Sequence, residues 1–292
     1  MPTNRPIIVT HHSPDLDAIT ATWLLKKFAE QKFGQAKVLF VNPGDHLSDE
    51  ELANHCVDES QVVYVDTGGG EFDHHQPERG QQYLSAALLV YQYLQKLHPE
   101  IKNDLALKTI VDYVTEIDHF REIFWPEADS LRYNFMIQEL IEGINKTHLH
   151  NDDSVLHFGF QCLDAAYANL TQVIKARQLI TEKGRQFSLS AGPALAIETQ
   201  NDNVIKEAQK QGFSLVVKRD PSYGHVRIKV RPDCPINLQK LAKKIADVDQ
   251  VGSWYFHPSG KMLLNGSGKH RRQHPTGLSL KEIINFIKEL YG

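Results

Sequence analysis

Within the first 65 residues, three short β-branched runs alternate with amphipathic stretches. The runs are Ile7-Ile8-Val9, residues 37–41 and Val62-Val63-Tyr64-Val65, and residues 18–33 form the first amphipathic stretch. This strand–helix–strand rhythm is a βαβ pattern, and it commits the chain to a parallel sheet with helices packed on its faces. Apolar residues recur at spacings of three and four over residues 85–97 and 104–120, as helices laid on one sheet face require. Ser48 with Glu51 and Ser279 with Glu282 have capping-box spacing and mark two helix starts. Residues 154–187 contain no proline and only two glycines, and set Leu163, Ala166, Leu170, Ile174 and Ile180 on one side, which reads as one long helix. Beyond Gly192-Pro193 the character shifts to short strands over residues 195–198, 214–218 and 226–230. The expected fold class is α/β: a parallel-sheet domain over residues 1–150, a connecting helix over 151–190, and a smaller α+β domain over 191–292.

At 292 residues and 41% apolar content the chain is long enough to bury a substantial core. A formal net charge of -4 removes the bulk attraction that a duplex-coating protein uses, so an anionic substrate has to be drawn in locally. Cys56, Cys162 and Cys234 lie far apart with no C-x-x-C pair, which disfavours a disulfide framework and a cysteine-built zinc site. No apolar run approaches a membrane span, and a cytoplasmic location is expected. Histidine, with 15 residues, is the unusual count, and several of these stand beside aspartates in loops.

The segment Val9-Thr10-His11-His12-Ser13-Pro14-Asp15-Leu16-Asp17 joins a predicted strand to a predicted helix, so its polar residues crowd the carboxyl end of a parallel strand, where open α/β sheets bind ligands. His11, Asp15 and Asp17 offer one imidazole and two carboxylates within seven residues, and the proline between them stiffens the loop, a donor set that suits a divalent cation. The strand over residues 62–65 ends at Asp66, placed to bridge two metals, and Gly68-Gly69-Gly70 frees the backbone for close approach. Then comes Phe72-Asp73-His74-His75-Gln76, where Asp73 is expected to hold His74 by a hydrogen bond, as ligating imidazoles usually need, with capping of a turn as the alternative. The helix over residues 104–120 offers two further carboxylates, Asp112 and Asp118.

The order H-x-x-x-D-x-D, strand-ending aspartate, Asp-His-His resembles the DHH phosphoesterases, which include RecJ nucleases, nanoRNases and manganese pyrophosphatases. That resemblance implies His11 and Asp15 on one metal, Asp17 and His74 on a second, Asp66 between them, and His75 facing the substrate phosphate as the catalytic histidine. Within that superfamily Val65-Asp66-Thr67-Gly68-Gly69, Ser85-Ala86-Ala87-Leu88-Leu89-Val90-Tyr91 and Thr115-Glu116-Ile117-Asp118 resemble the Myg (melanocyte proliferating gene) proteins, implied to be exoribonucleases acting from the 3′ end. This closer likeness favours Asp118 over Asp112 as the last ligand. Ser13 and Leu16 replace the asparagine and glycine usual there.

The expected cofactor is therefore a pair of divalent ions, Mn2+ foremost, with Co2+ or Mg2+ as alternatives. Two such ions roughly 3.5–4 Å apart lower the pKa of a bridging water and neutralise charge on phosphoryl oxygens, so no protein nucleophile is needed. Near the C-terminus, Gly266, Ser267, Lys269, Arg271 and Arg272 combine flexible backbone with cationic side chains and read as a phosphate-binding loop. Trp254, Tyr255, Phe256 and His257 precede it, with core packing the favoured role and base stacking the alternative. The expected substrate is short single-stranded RNA or a nucleotide, with no membrane partner and a homodimer held open. A pyrophosphatase or polyphosphatase, and a non-catalytic nucleotide- or metal-binding module, are the competing readings.

Overall fold

A computed structural model describes residues 6–266 and 273–292 of the chain, a mixed α/β structure that divides into two compact units, Met1–Asn169 and Leu170–Gly292. The first unit opens with β1 (Ile7–His11), α1 (Leu16–Phe28), a single turn α2 (Glu30–Phe33), β2 (Lys37–Val41), α3 (Asp49–His55) and β3 (Val62–Tyr64). The strands pair in the order β2-β1-β3, all parallel, as the βαβ rhythm requires. Ile7 and Val9 of β1 join Val41, Leu47 and Tyr64 in one apolar cluster. Strand alternation sends Ile8 and Thr10, both fully buried, to the opposite face.

The stretch expected as one helix over residues 18–33 breaks at Ala29, whose backbone (φ -120°, ψ 44°) leaves the helical region. Ten consecutive residues of α1, from Leu16 to Leu25, are buried, so it is an interior helix rather than an amphipathic surface one. It contacts α4 (Ala86–Leu97) and α5 (Leu105–Asp118), whose first turns are capped by Ser85 and Asp104. Between α5 and α6 (Ile137–Thr147) the chain winds through two 3-10 turns, Arg121–Phe124 and Leu131–Phe135. Capping-box spacing is realised at both anticipated places, Ser48 with Glu51 and Ser279 with Glu282.

The long helix α7 runs from Asp152 to Lys183. The boundary between the two compact units falls inside it, after Asn169. Against α1, Gly159 of α7 lies so close that a Cβ there would stand 2.5 Å from Cγ2 of Ile19. The helix ends four residues earlier than its periodicity suggests, because Arg185–Leu189 forms β4, pairing antiparallel with β5 (Gly192–Glu198). The second unit continues with α8 (Asn203–Lys210), β6 (Leu215–Arg219), β7 (Val226–Val230), α9 (Gln239–Val248), β8 (Trp254–Phe256), β9 (Met262–Asn265) and α10 (Leu280–Tyr291). Its sheet order is β4-β5-β6-β7-β9-β8, antiparallel except for the β5–β6 pair. Along β5, Ala194 and Ala196 join the core that includes Leu241 and Ile283, whereas Leu195 and Ile197 join Ala176, Val204 and Ala208. Both faces of this sheet are therefore covered. No described helix is long and apolar enough to cross a membrane.

Candidate metal centre

The end of β1 delivers His11, and the turn after it is braced from α7. Asp152 accepts from the Ser13 amide (2.7 Å) and pairs with His12 Nδ1 (2.7 Å), holding Ser13 at a left-handed φ of 51°. Asp15 caps α1, its Oδ1 accepting from the amides of Asp17 (2.9 Å) and Ala18 (3.0 Å). Two residues on, the Asp17 side chain is 1% exposed. Its two oxygens accept from the amides of Ala86 (2.6 Å) and Ala87 (2.8 Å), so a buried carboxylate sits on the positive end of α4.

Beyond β3 the chain turns sharply. Asp66 (φ 57°), Gly68 (φ 71°) and Gly69 (φ 61°) all occupy the left-handed region, and a Cβ on Gly68 would meet the Tyr64 ring at 2.8 Å. This turn aims the Asp66 carboxylate inward, with its side chain 2% exposed. Asp66 Oδ2 is 3.4 Å from His11 Nε2 and its Oδ1 is 3.3 Å from His74 Nε2. His74 Nε2 in turn lies 3.7 Å from Asp17 Oδ2 and 3.6 Å from Asp118 Oδ2, at the last residue of α5. Asp112, the other carboxylate of that helix, pairs instead with Lys108 (2.5 Å) on an exposed face.

Three overlapping donor groups result: His11 with Asp15 and Asp66, Asp17 with His74 and Asp118, and Asp66 with His74 and His75, the atoms of each lying within 4.8 Å of one another. Asp66 Oδ1, His74 Nε2 and Asp118 Oδ2 are buried without a hydrogen-bond partner. Leaving three such atoms unpaired inside a protein is costly, and a divalent cation among them would satisfy all three. Mixed imidazole and carboxylate donors suit Mn2+, Co2+, Mg2+ or Zn2+ chemistry, so the residues fit the expected group.

The titration behaviour follows from crowding four carboxylates and two imidazoles together. Burial pushes the Asp17 carboxyl well above its ordinary range, and the charges of Asp66, Asp118 and Asp15 push it further. Burial likewise lifts Asp118 to about 6, partly offset by His74. Asp66 goes the other way. Burial opposes its ionisation, but the two imidazoles of His11 and His74 outweigh that and hold it low. Burial pulls down on His11, yet Asp66 and Asp15 raise it to about 9.

Asp73 corrects an expectation. It engages His75 rather than His74, its Oδ1 taking the ring Nδ1 (2.8 Å) and the amide (3.0 Å) while Oδ2 accepts from the Gly69 amide (2.7 Å). The two rings lie side by side, their centroids 4.3 Å apart, with His74 Nε2 turned to Asp66 and His75 Nδ1 to Asp73. The His75 side chain is 63% exposed, and Asp73 raises its pKa.

Of the expected phosphate-binding loop, Gly266 is described: it is buried at φ 67°, and a Cβ there would fall 2.1 Å from the His225 ring. Ser267, Lys269, Arg271 and Arg272 lie outside the described residues. Trp254 and Phe256 pack on the core, and Trp254 Nε1 donates to Asp249 (2.7 Å), leaving Tyr255 half exposed on the other face of β8.

No family model and no curated protein matches the chain. Among solved structures it is similar to a DHH-domain protein described as a member of the s1p family of ribosomal proteins, at 16% identity over 98% of this chain and 87% of that one, with a TM-score of 0.32. RecJ from Thermus thermophilus in complex with Mn2+ overlays at 12% identity, covering 98% of this chain and 52% of that one (TM-score 0.33). A putative family II inorganic pyrophosphatase from Methanococcus jannaschii overlays at 14% identity over 98% and 99%, with a TM-score of 0.22. These overlays are loose, and what the site can do rests on its own atoms.

Proposed function

We propose that this chain is a DHH-type phosphoesterase that holds two divalent cations and hydrolyses phosphodiester bonds of short RNA or a nucleotide. One observation carries the reading: His11, Asp15, Asp17, Asp66, His74 and Asp118 converge from two strand ends, two helices and the loop after Phe72, with three of their buried polar atoms unpartnered. His11 and Asp15 hold one cation, Asp17, His74 and Asp118 the other, and Asp66, within reach of both imidazoles, stands between. When bound, two divalent cations supply Lewis-acid polarisation of phosphoryl oxygens and neutralise the charge that develops there.

The remaining work falls to the chain. The α4 amides fix Asp17, and Asp15 is fixed by the start of α1, so the ligands are preorganised rather than drawn in on binding. His75, anchored through Nδ1 by Asp73, leaves Nε2 to donate a hydrogen bond or proton to the substrate phosphate or the leaving oxygen. The hydrogen bond to Asp73 raises its pKa, which favours the protonated ring.

The test is incubation of the full chain with Mn2+ and, separately, bis(4-nitrophenyl) phosphate, a short end-labelled RNA and pyrophosphate. Trimming of the RNA from one end, abolished by a chelator, is the expected result. Phosphate release from pyrophosphate with the RNA left intact would favour a pyrophosphatase instead. Metal binding without turnover of any of the three would favour a non-catalytic module.

A further inference from the structure

Two clefts meet at the metal centre. The smaller, about 330 Å³, is lined by His11, Asp66, Asp73 and His75 and shares Asp15 and Asp118 with the larger. The larger, about 580 Å³, leads away from those two aspartates to a wall that includes Leu16, Val114, Ile117 and Phe120. Its volume falls within the roughly 300–1,000 Å³ of small-molecule sites. A phosphoryl group held at the carboxylates would therefore have His75 on one side and a mostly apolar cleft on the other.

Three features define what that cleft accepts. Phe120 follows α5 in the left-handed region (φ 53°) with 73% of its surface exposed, a strained backbone position for a bulky residue whose ring gains no burial. Strain of this kind collects at sites that hold ligands, and an exposed ring beside a cleft is a stacking platform. The second feature is charge. Beyond the metal ligands the lining includes Glu122, Glu139 and Glu142, and its only cation among the described residues, Lys146, is paired with Glu142 at 2.5 Å. Such a lining repels a second phosphate and tolerates a neutral ring. Third, Glu122 Oε2 is buried with no hydrogen-bond partner and calls for an N–H donor. Nearby in the lining, Gln138 has its Oε1 engaged by the Tyr113 hydroxyl (2.7 Å), so that side chain offers N–H groups in return.

We propose that the larger cleft is a nucleoside subsite: it takes the base of a nucleotide whose phosphate lies at the metal centre, with the base ring against Phe120 and an exocyclic amino group donating to Glu122. The inference rests on the phosphoester reading and narrows it, because pyrophosphate and polyphosphate have no base to place there and carry charge that the cleft rejects. It also ranks bases. Cytosine carries an amino group where uracil carries a carbonyl, so the two pyrimidines are close in size and opposite in what they present to a carboxylate.

Calorimetric titration of the Mn2+-loaded full chain with CMP, UMP and ribose 5-phosphate tests this. UMP is expected to bind about tenfold more tightly than ribose 5-phosphate, through stacking, and CMP about tenfold more tightly again, through the charged hydrogen bond. Glu122→Gln should erase the preference for CMP over UMP. Phe120→Ala, at an exposed ring, should erase the advantage of UMP over ribose 5-phosphate and leave the preference for CMP over UMP. Equal affinity for CMP and ribose 5-phosphate, in protein that hydrolyses bis(4-nitrophenyl) phosphate, overturns the subsite and leaves the phosphoester reading standing. Absence of both binding and hydrolysis overturns both.

Discussion

At the residue scale, Asp66 is where the competing forces meet. It is the group the others lean on: two imidazoles hold it ionised against burial, while its charge helps raise Asp17 and Asp118. Asp66→Asn keeps the volume and removes the charge. Its hydrolytic activity is expected to fall by more than the roughly 10–100-fold that losing an outer hydrogen-bond partner of a metal site costs, and Mn2+ should no longer raise its Tm. The pH dependence has a definite sign. His11 has its folded pKa raised from the ordinary 6.5 to about 9, so the stability it lends the metal-free protein is fully present below about 6.5 and is lost as pH rises through about 9. A cation needs the same imidazole neutral, so Mn2+ affinity should climb over that window while metal-free Tm declines, with proton release visible by titration in buffers of different ionisation enthalpy. A metal-free Tm that rose between pH 6.5 and 9 would contradict this. The convergence of these side chains was legible in the sequence because H-x-x-x-D-x-D and Asp-His-His place polar groups after predicted strands. The partner of Asp73 was not, since sequence spacing cannot say which of two neighbouring imidazoles faces a given carboxylate.

At the element scale, the parallel pairing of β1 with β2 and β3 and the capping boxes of α3 and α10 follow from local patterns, whereas other boundaries are set by contacts between distant segments. Residues 185–189 continue an apolar rhythm compatible with helix, yet pairing with β5 converts them to strand, an instance of sheet partners overriding local propensity. The larger cleft was hidden for a related reason: its lining is drawn from residues 13–17, 114–122 and 138–149, brought together by α6 and by two 3-10 turns that leave weak periodic signals. The approach of α7 to α1 depends on a single absent side chain. Gly159→Ala places a Cβ 2.5 Å from Ile19, itself fully buried and without room to yield. Overpacking of this kind costs about 1–3 kcal/mol, more than the helix propensity gained by replacing glycine with alanine, about 1 kcal/mol. The denaturant midpoint should therefore fall, and an unchanged or raised midpoint would show that the helices separate freely.

For the molecule as a whole, the distribution of ligands has a thermodynamic consequence. All six proposed metal ligands lie between residues 11 and 118, inside Met1–Asn169, while Leu170–Gly292 has its own two-faced core around β5 and β6. A cation that binds only the folded state stabilises what it touches, by about 2.7 kcal/mol at a hundredfold excess over Kd. Scanning calorimetry at increasing Mn2+ should then resolve two transitions, one moving upward with metal concentration and one stationary. The helix α7 belongs to both units, so it is the element through which coupling would pass. If its continuity makes the units unfold as one, a single transition shifts as a whole. Replacing Asn169 with proline, which breaks a helix interior at a cost of about 3 kcal/mol, should then split that transition and leave only the first-unit component responsive to Mn2+.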